Sequence, residues 1–110
     1  MRRALLLALF SMLPIASRGE IIGVPADVNR VSMALVVAAP YDTILVAPGI
    51  YYENLIWPNK AGIKLLSEEG CDATVLDGRN RDQVIGIYSG VDTTTVVRGF
   101  TIRNGHAEGM

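Results

Sequence analysis

The stretch DTILVAPGIYYENLIWP, residues Asp42–Pro58, holds two short runs of strand-forming side chains. These runs are Thr43–Val46 and Tyr52–Trp57, and the turn residues Pro48-Gly49 separate them. Thr, Ile, Val and Tyr favour pleated, half-buried surfaces, whereas Pro-Gly interrupts the backbone. A unit of this size is too small to bury its own apolar side. The stretch therefore predicts a strand–turn–strand unit that packs against further units of the same kind.

A fixed step links this stretch to the chain that follows, with similar side chains at positions i, i+21 and i+42. Two apolar columns share the step, one of Leu45, Leu66 and Ile87 and the other of Leu55, Leu76 and Val97. Turn glycines follow at Gly49 and Gly70, with Gly90 one position early. Self-similarity at a fixed period of this size is typical of a solenoid, whose repeats bury their apolar sides only against each other. The alternative is a β-sandwich with regularly spaced turns.

The repeat predicts two columns of strands. The first consists of Thr43–Val46, Ile63–Ser67 and Val84–Tyr88, and the second of Glu53–Trp57, Thr74–Asp77 and Thr95–Arg98. A further strand is expected at each end of the pattern, at Glu20–Val24 and Phe100–Arg103.

One helix of about ten residues is predicted before the repeats. Its apolar side is defined by the i, i+3, i+4, i+7 series Val31, Ala34, Leu35 and Ala38. Asp27 or Asn29 is available as an N-cap, and Pro40 ends the helix. A short amphipathic helix at this position would cover the apolar end of the stack.

The N-terminus has the layout of a secretory signal peptide, which we assign to residues 1–18. Arg2 and Arg3 precede the apolar run Ala4–Phe10, which continues to Ile15. The run is too short for a transmembrane helix, so no membrane span is predicted. We expect a secreted protein, extracellular, periplasmic or on the cell surface, in which residues 19–110 form the cap and first coils of one domain.

Charge and composition exclude several kinds of site. The net charge of the 110-residue chain is −1, and removal of residues 1–18 takes away three arginines and no acid, which gives −4. No basic cluster is present, so no nucleic-acid partner is predicted. Cys71 is the only cysteine and His106 the only histidine, which excludes a disulfide framework and a His–His metal pair. We therefore predict no metal and no cofactor.

Three motifs carry a family resemblance: APGIYYEN at Ala47–Asn54, Asp77-Gly78, and GFTIRNG at Gly99–Gly105. With them, the chain from about Ile21 resembles the opening of secreted right-handed parallel β-helix proteins of the pectin lyase-like superfamily. Pectin methylesterases begin in a similar way. Related openings tend to carry Gly-Asp before the first repeat strand, where this chain has Tyr41-Asp42.

The resemblance implies an all-β fold, a right-handed parallel β-helix of about three to four coils with a short N-terminal α-helix. The two apolar columns would then point inward, while Lys64, Asp77 and Arg98 would point outward. The sequence ends one turn into an unfinished pattern, so we expect a C-terminally truncated chain that is continued by further coils of the same β-helix.

Few residues suggest chemistry. Glu53 could act as a general acid or base, but a structural role for Glu53 and Asn54, hydrogen-bonded to backbone at a corner of the coil, is favoured. Asp77 and Asp82 could form a carboxylate pair, although mixed loop charges more often form a solvated turn. Trp57, expected to be exposed at a strand end, and Asp77 are the candidate sugar-binding residues. An aromatic side chain at such a position is as often packed under the next loop.

Two functions are compatible with these observations. The first is a non-catalytic surface or carbohydrate-binding scaffold, with a polysaccharide as its partner. The second is the N-terminal part of a carbohydrate-active enzyme, pectin esterase- or lyase-like, whose active site lies on downstream coils. In pectin methylesterases the catalytic residues lie on later coils, so the resemblance assigns no catalytic residue here, and we favour the scaffold.

Overall fold

The computed structural model describes residues 19–107. The signal peptide predicted for residues 1–18 lies outside the described residues. The described part contains one helix and nine strands: β1 Ile21–Val24, α1 Val31–Val37, β2 Thr43–Val46, β3 Gly49–Tyr52, β4 Leu55–Ile56, β5 Lys64–Ser67, β6 Thr74–Asp77, β7 Ile85–Gly86, β8 Val96–Arg98 and β9 Thr101–Arg103.

The strands form three parallel sheets that wind into a solenoid of about three turns. Their orders are β1-β2-β5-β8, β3-β6-β9 and β4-β7, and every described ladder is parallel. The predicted fold class, mostly β with parallel coils and one short helix, is confirmed. The β-sandwich alternative is wrong, because such sandwiches are built from antiparallel strands.

The predicted fixed period holds for one step only. Leu45 pairs with Leu66, as predicted, but Leu66 then pairs with Arg98 rather than lying under Ile87. The strand predicted at Val84–Tyr88 is reduced to β7, which pairs with β4 in the smallest sheet. The third member of the first column is therefore wrong.

The second predicted column is also wrong, because its members lie in three different sheets. Leu55 is in β4, Leu76 in β6 and Val97 in β8. The error follows from one missed strand. The sequence pattern assigns Gly49–Tyr52 in part to a turn, whereas these residues form β3, the partner of β6.

The second coil is longer than the first because its corners are longer. Thr43 pairs with Lys64 after one coil, and Lys64 pairs with Val96 after a coil that is half as long again. The additional residues lie in the loops at 68–73, 78–84 and 87–95, between strands that keep their parallel pairing. Insertions at the corners therefore change the rim of the coil and leave the sheets in place.

The inward side of the first sheet is displaced by one position from the prediction. Ile44, Val46 and Leu65 are fully buried, whereas Leu45 and Leu66 are only partly buried. Successive side chains of a strand point to opposite sides, so Leu45 and Leu66 face outward, as Lys64 does. The inward stack is Ile22, Ile44, Leu65 and Val97, in register along the sheet.

Helix α1 buries the side that the sequence predicts. Val31, Ala34 and Leu35 are buried within it, as is Ala38 just after it, and the helix contacts β1, β2 and β4. The helix has seven residues rather than about ten, and its N-cap residue is Arg30, whose side chain makes no capping hydrogen bond. The predicted caps are therefore wrong.

The turn between α1 and β2 forms despite the tyrosine in place of glycine. Tyr41 adopts a φ of +69°, in the left-handed region that glycine favours. Its backbone amide donates to the carbonyl of Ala61 at 2.9 Å. The next residue, Asp42, accepts hydrogen bonds from the backbone amides of Glu20 and Ala39, both at 2.8 Å. These contacts tie the strand before the helix to the turn after it.

Candidate functional site

The motif residue Glu53 caps α1 from the first coil. Its two carboxylate oxygens accept hydrogen bonds from the backbone amides of Val31, at 2.9 Å, and Ser32, at 2.7 Å. The first amides of a helix have no partner within the helix, and a negative charge is favourable there. The structural role favoured for Glu53 is confirmed, and the capping group missing from the residues before the helix comes from the corner between β3 and β4.

The opposite end of α1 is held by Lys60. Its ammonium group donates to the carbonyl oxygens of Val36, at 2.8 Å, and Ala38, at 2.6 Å. A cation at the C-terminal end of a helix satisfies carbonyls that have no amide partner and complements the helix dipole. One segment of the first coil, from Glu53 to Lys60, therefore fixes both ends of the helix.

Asn54 has the structural role predicted for it: from a corner of the first coil it binds backbone carbonyls at a corner of the second coil. Its side-chain nitrogen lies 3.2 Å from the carbonyl oxygen of Gly78, 3.3 Å from that of Asp82 and 3.0 Å from that of Gln83. An amide group has two hydrogens to donate, so the three carbonyls share them. Asn54 thus holds the two ends of the loop at 78–84 together.

Asp77 lies in an outward row of the second sheet, between Tyr52 and Arg103. Its carboxylate accepts hydrogen bonds from the amide of Arg79 at 2.8 Å, from Nε of Arg103 at 2.9 Å and from the side-chain amide of Asn104 at 3.0 Å. The backbone N–H of Arg79, followed by the guanidinium of Arg103, lowers the pKa of the Asp77 carboxyl below its ordinary value. Only 4% of Asp77 is exposed.

These contacts give Asp77 a different role from the one suggested by the sequence. Both of its carboxylate oxygens bind groups of the chain, so Asp77 orients the Arg103 side chain instead of offering a free carboxylate to a sugar. Asp82 accepts from the amide of Gln83 and is exposed. The two aspartates therefore serve separate turns, and only Asp82 is exposed to solvent.

A tyrosine–arginine face lies on the same outward side of the second sheet; it consists of Tyr52, Arg79 and Arg103. The guanidinium carbon of Arg79 lies 4.4 Å from the centroid of the Tyr52 ring, in cation–π geometry. Tyr52 is half exposed, and both arginines are exposed. The bond from Arg103 to Asp77 uses Nε, which leaves the two terminal nitrogens of that guanidinium outside the ion pair.

Trp57 does not have the exposure that the sequence predicts for it. It is 3% exposed and belongs to the hydrophobic core, and its backbone amide donates to the carbonyl of Gly86 at 2.8 Å. Its indole nitrogen has no hydrogen-bond partner among residues 19–107. A ring in this position cannot stack on a polysaccharide at the surface, so the packed alternative describes Trp57.

Sequence reasoning misses Tyr52 and Arg103 as members of one face. They lie far apart in the chain and are brought together by the ladders of β3, β6 and β9. A search for a second, longer spacing would have aligned these residues, because in the second sheet Gly49 pairs with Thr74 and Val75 with Thr101. Each of those steps is longer than the step from Thr43 to Lys64 that the first sheet displays.

The described part of the chain shows few signs of other kinds of site. Among residues 19–107 there is no group of three or more His, Cys, Asp or Glu side chains placed to hold a metal ion. No helix in that range is long and apolar enough to cross a membrane. No known family model matches the chain, and neither curated proteins nor solved structures gave a match.

Proposed function

We propose that this chain belongs to a secreted, non-catalytic β-solenoid scaffold of the pectin lyase-like type, which binds polysaccharide on its flank. The observation that supports the scaffold role is that the polar side chains at the turns and corners form hydrogen bonds within the chain. Asp42, Glu53, Asn54 and Asp77 are all hydrogen-bonded to the chain itself. Groups that could do chemistry are thus committed to holding coils, corners and helix together.

Polysaccharide binding is proposed for the tyrosine–arginine face. A half-exposed tyrosine ring offers an apolar surface on which the C–H groups of a sugar can stack, with a polar rim. Guanidinium groups donate several hydrogen bonds in a planar fork, which suits sugar hydroxyls and, above all, carboxylates. Asp77 holds Arg103, and Tyr52 holds Arg79, so part of the entropy cost of ordering both side chains is already met in the free protein.

The test is affinity electrophoresis of the purified chain in gels that contain a uronic-acid polysaccharide, a neutral glucan or no polysaccharide. We expect retardation in at least the uronic-acid gel, and Tyr52→Ala should lose most of it. The matched control is Tyr88→Ala, which removes an exposed ring of the same size from the loop after β7. Unretarded migration of the parent chain in both polysaccharide gels would contradict glycan binding, and equal loss in the two tyrosine variants would contradict the assigned face.

A further inference from the structure

One dipeptide beside the tyrosine–arginine face has the sequence that favours a spontaneous covalent change. The chain contains five asparagines, and Asn104 is the one that is followed by glycine. In an Asn-Gly pair the backbone nitrogen of the glycine can attack the side-chain carbonyl of the asparagine, because glycine has no Cβ that obstructs the approach. The other four asparagines are followed by arginine, leucine or lysine, whose side chains hinder this attack.

The fold places a second asparagine in the same conformation next to the first. Asn104 has a φ of +58° and Asn80 a φ of +57°, and the backbone amide of Asn80 donates to the carbonyl of Asn104 at 2.7 Å. Both residues lie outside the helix and the strands. Asparagine tolerates this left-handed conformation better than most residues. The two positions therefore differ mainly in the residue that follows, which is Gly105 in one case and Arg81 in the other.

The side chain of Asn104 helps to hold Arg103 through Asp77. Its Nδ2 donates to Oδ2 of Asp77 at 3.0 Å, and the same oxygen accepts from Nε of Arg103 at 2.9 Å. An ionised carboxylate at position 104 has no hydrogen to donate. It would also bring a second negative charge close to Asp77, and like charges that share a site oppose each other.

We propose that Asn104 is a site of spontaneous deamidation, and that the carboxylate it forms weakens the tyrosine–arginine face. The Gly105 nitrogen forms a bond to Cγ of Asn104, the bond from Cγ to Nδ2 breaks, and ammonia leaves with the proton of the Gly105 amide. Water then opens the five-membered succinimide at one of its two carbonyl groups. The products are aspartate and isoaspartate, so one water is consumed and one ammonia released.

The new charge acts on the face in two ways. Two guanidinium groups and the carboxylate of Asp77 give this cluster a formal charge of +1, and a carboxylate at position 104 reduces it to zero. That carboxylate also competes with Asp77 for the guanidinium of Arg103, with which it can form charge-assisted hydrogen bonds. Weaker retention of an anionic polysaccharide follows, and this consequence rests on the proposed function. Deamidation itself, and the loss of the hydrogen bond to Asp77, do not depend on it.

The first experiment measures the chemistry in the chain expressed from its complete reading frame, in the form that the host releases. The protein is incubated in neutral buffer, and peptide mapping by mass spectrometry follows each asparagine. Asn104 should convert severalfold faster than Asn80, with isoaspartate among the products. Equal rates at the two positions of the parent chain would overturn the proposal.

A glycine variant tests the cause of the difference in rate. Gly105→Ala should slow conversion of Asn104 to a rate close to that of Asn80. The added Cβ would lie 3.2 Å from Cγ2 of Val84, a contact that a small shift of this side chain relieves. Far-UV circular dichroism confirms that the variant is folded, and rapid conversion in the folded variant would contradict the assigned attack by Gly105.

The second experiment measures the consequence with Asn104→Asp and the matched control Asn80→Asp, which adds the same charge to the neighbouring turn. Loss of a hydrogen bond to a charged group should lower the melting temperature of Asn104→Asp by at least about 4 °C, whereas the control should melt close to the parent chain. In the uronic-acid gel Asn104→Asp should lose more retardation than the control. A parent-like melting temperature, or equal retardation of the two variants in a gel that retards the parent, would overturn the effect on the face. A parent chain without retardation would contradict polysaccharide binding alone, since the conversion rates and melting temperatures still decide the assignment of Asn104.

Discussion

The Glu53 carboxylate accepts a 2.9 Å hydrogen bond from the backbone amide of Val31, the first residue of α1. The group that caps the helix therefore belongs to the first coil of the solenoid and not to the residues that precede the helix. Because the same carboxylate also binds Ser32, formation of the helix start and formation of the first coil depend on each other.

Removal of the cap should destabilise the whole domain. Glu53→Ala leaves two helix amides without a partner, and loss of an N-cap costs about 1–2 kcal/mol. We expect the midpoint of urea unfolding to fall with an unchanged slope. Glu68→Ala, at an exposed position after β5, is the control and should unfold like the parent chain. Equal midpoints for the two variants would show that the cap contributes nothing.

The side assigned to each leucine of β5 predicts unequal costs for the same substitution. Leu65 is fully buried and Leu66 partly buried, so Leu65→Ala should cost about 2–5 kcal/mol, the range for core leucines. Leu66→Ala should cost less than half as much. Chemical denaturation of both variants measures the difference. A larger loss in Leu66→Ala would favour the inward position that the sequence alone suggests for that residue.

Acid should destabilise the fold partly through Asp77. The pKa of this carboxyl is lower in the folded protein than the value of about 3.9 in an unfolded chain, so the folded state binds the proton less well. The stability that the lowered pKa of Asp77 gives to the folded state is therefore fully present above about pH 5. It is lost as the pH falls through the pKa of the folded state. Asp77→Asn should lower the melting temperature at pH 7 and flatten its decline towards pH 2.

The control for this pH profile is Asp72→Asn, which removes the same charge from an exposed turn before β6. Its melting temperature should follow the parent profile from pH 7 to pH 2. A steep acid decline that persists in Asp77→Asn would show that other carboxyl groups carry the effect.

Export is expected from the signal peptide assigned to residues 1–18. Expressed in a bacterium, the chain should leave the cytoplasm, and N-terminal sequencing should begin near Arg18 or Gly19. The apolar run is the part that the export machinery reads, so Leu7→Arg should leave an uncleaved product in the cytoplasm. A parent chain that is recovered there uncleaved contradicts the signal-peptide assignment.

Sequence periodicity identifies the helix side and the first step between coils, because these depend on local spacing. Val31, Ala34, Leu35 and Ala38 follow one helical period, and all four are buried. The step from Leu45 to Leu66 is correct, but Ile44 and Leu65 share the same spacing. Because both strands carry two adjacent apolar residues, the spacing does not decide which of the two points inward. A shift by one position exchanges the inward and outward residues.

The remaining errors arise from contacts that no local pattern contains. The second coil lengthens at three corners, so a fixed period fails after Leu66. The partners of Glu53 and of Arg103 lie in distant parts of the chain. Trp57 is expected at the surface because it lies at the end of a predicted strand, yet the folded coils bury it. Only the pairing of coils determines which of these side chains remain accessible.

The corner at 78–84 shows how such a fold can acquire new surfaces. Its ends are drawn together by Asn54, and β6 before it and β7 after it keep their places in two sheets. Gly78 and Val84 at those ends are buried, whereas Asn80, Arg81, Asp82 and Gln83 between them are exposed. A foreign peptide inserted between Arg81 and Asp82 would be displayed at this corner, with the Asn54 side chain holding the two ends of the graft to the solenoid.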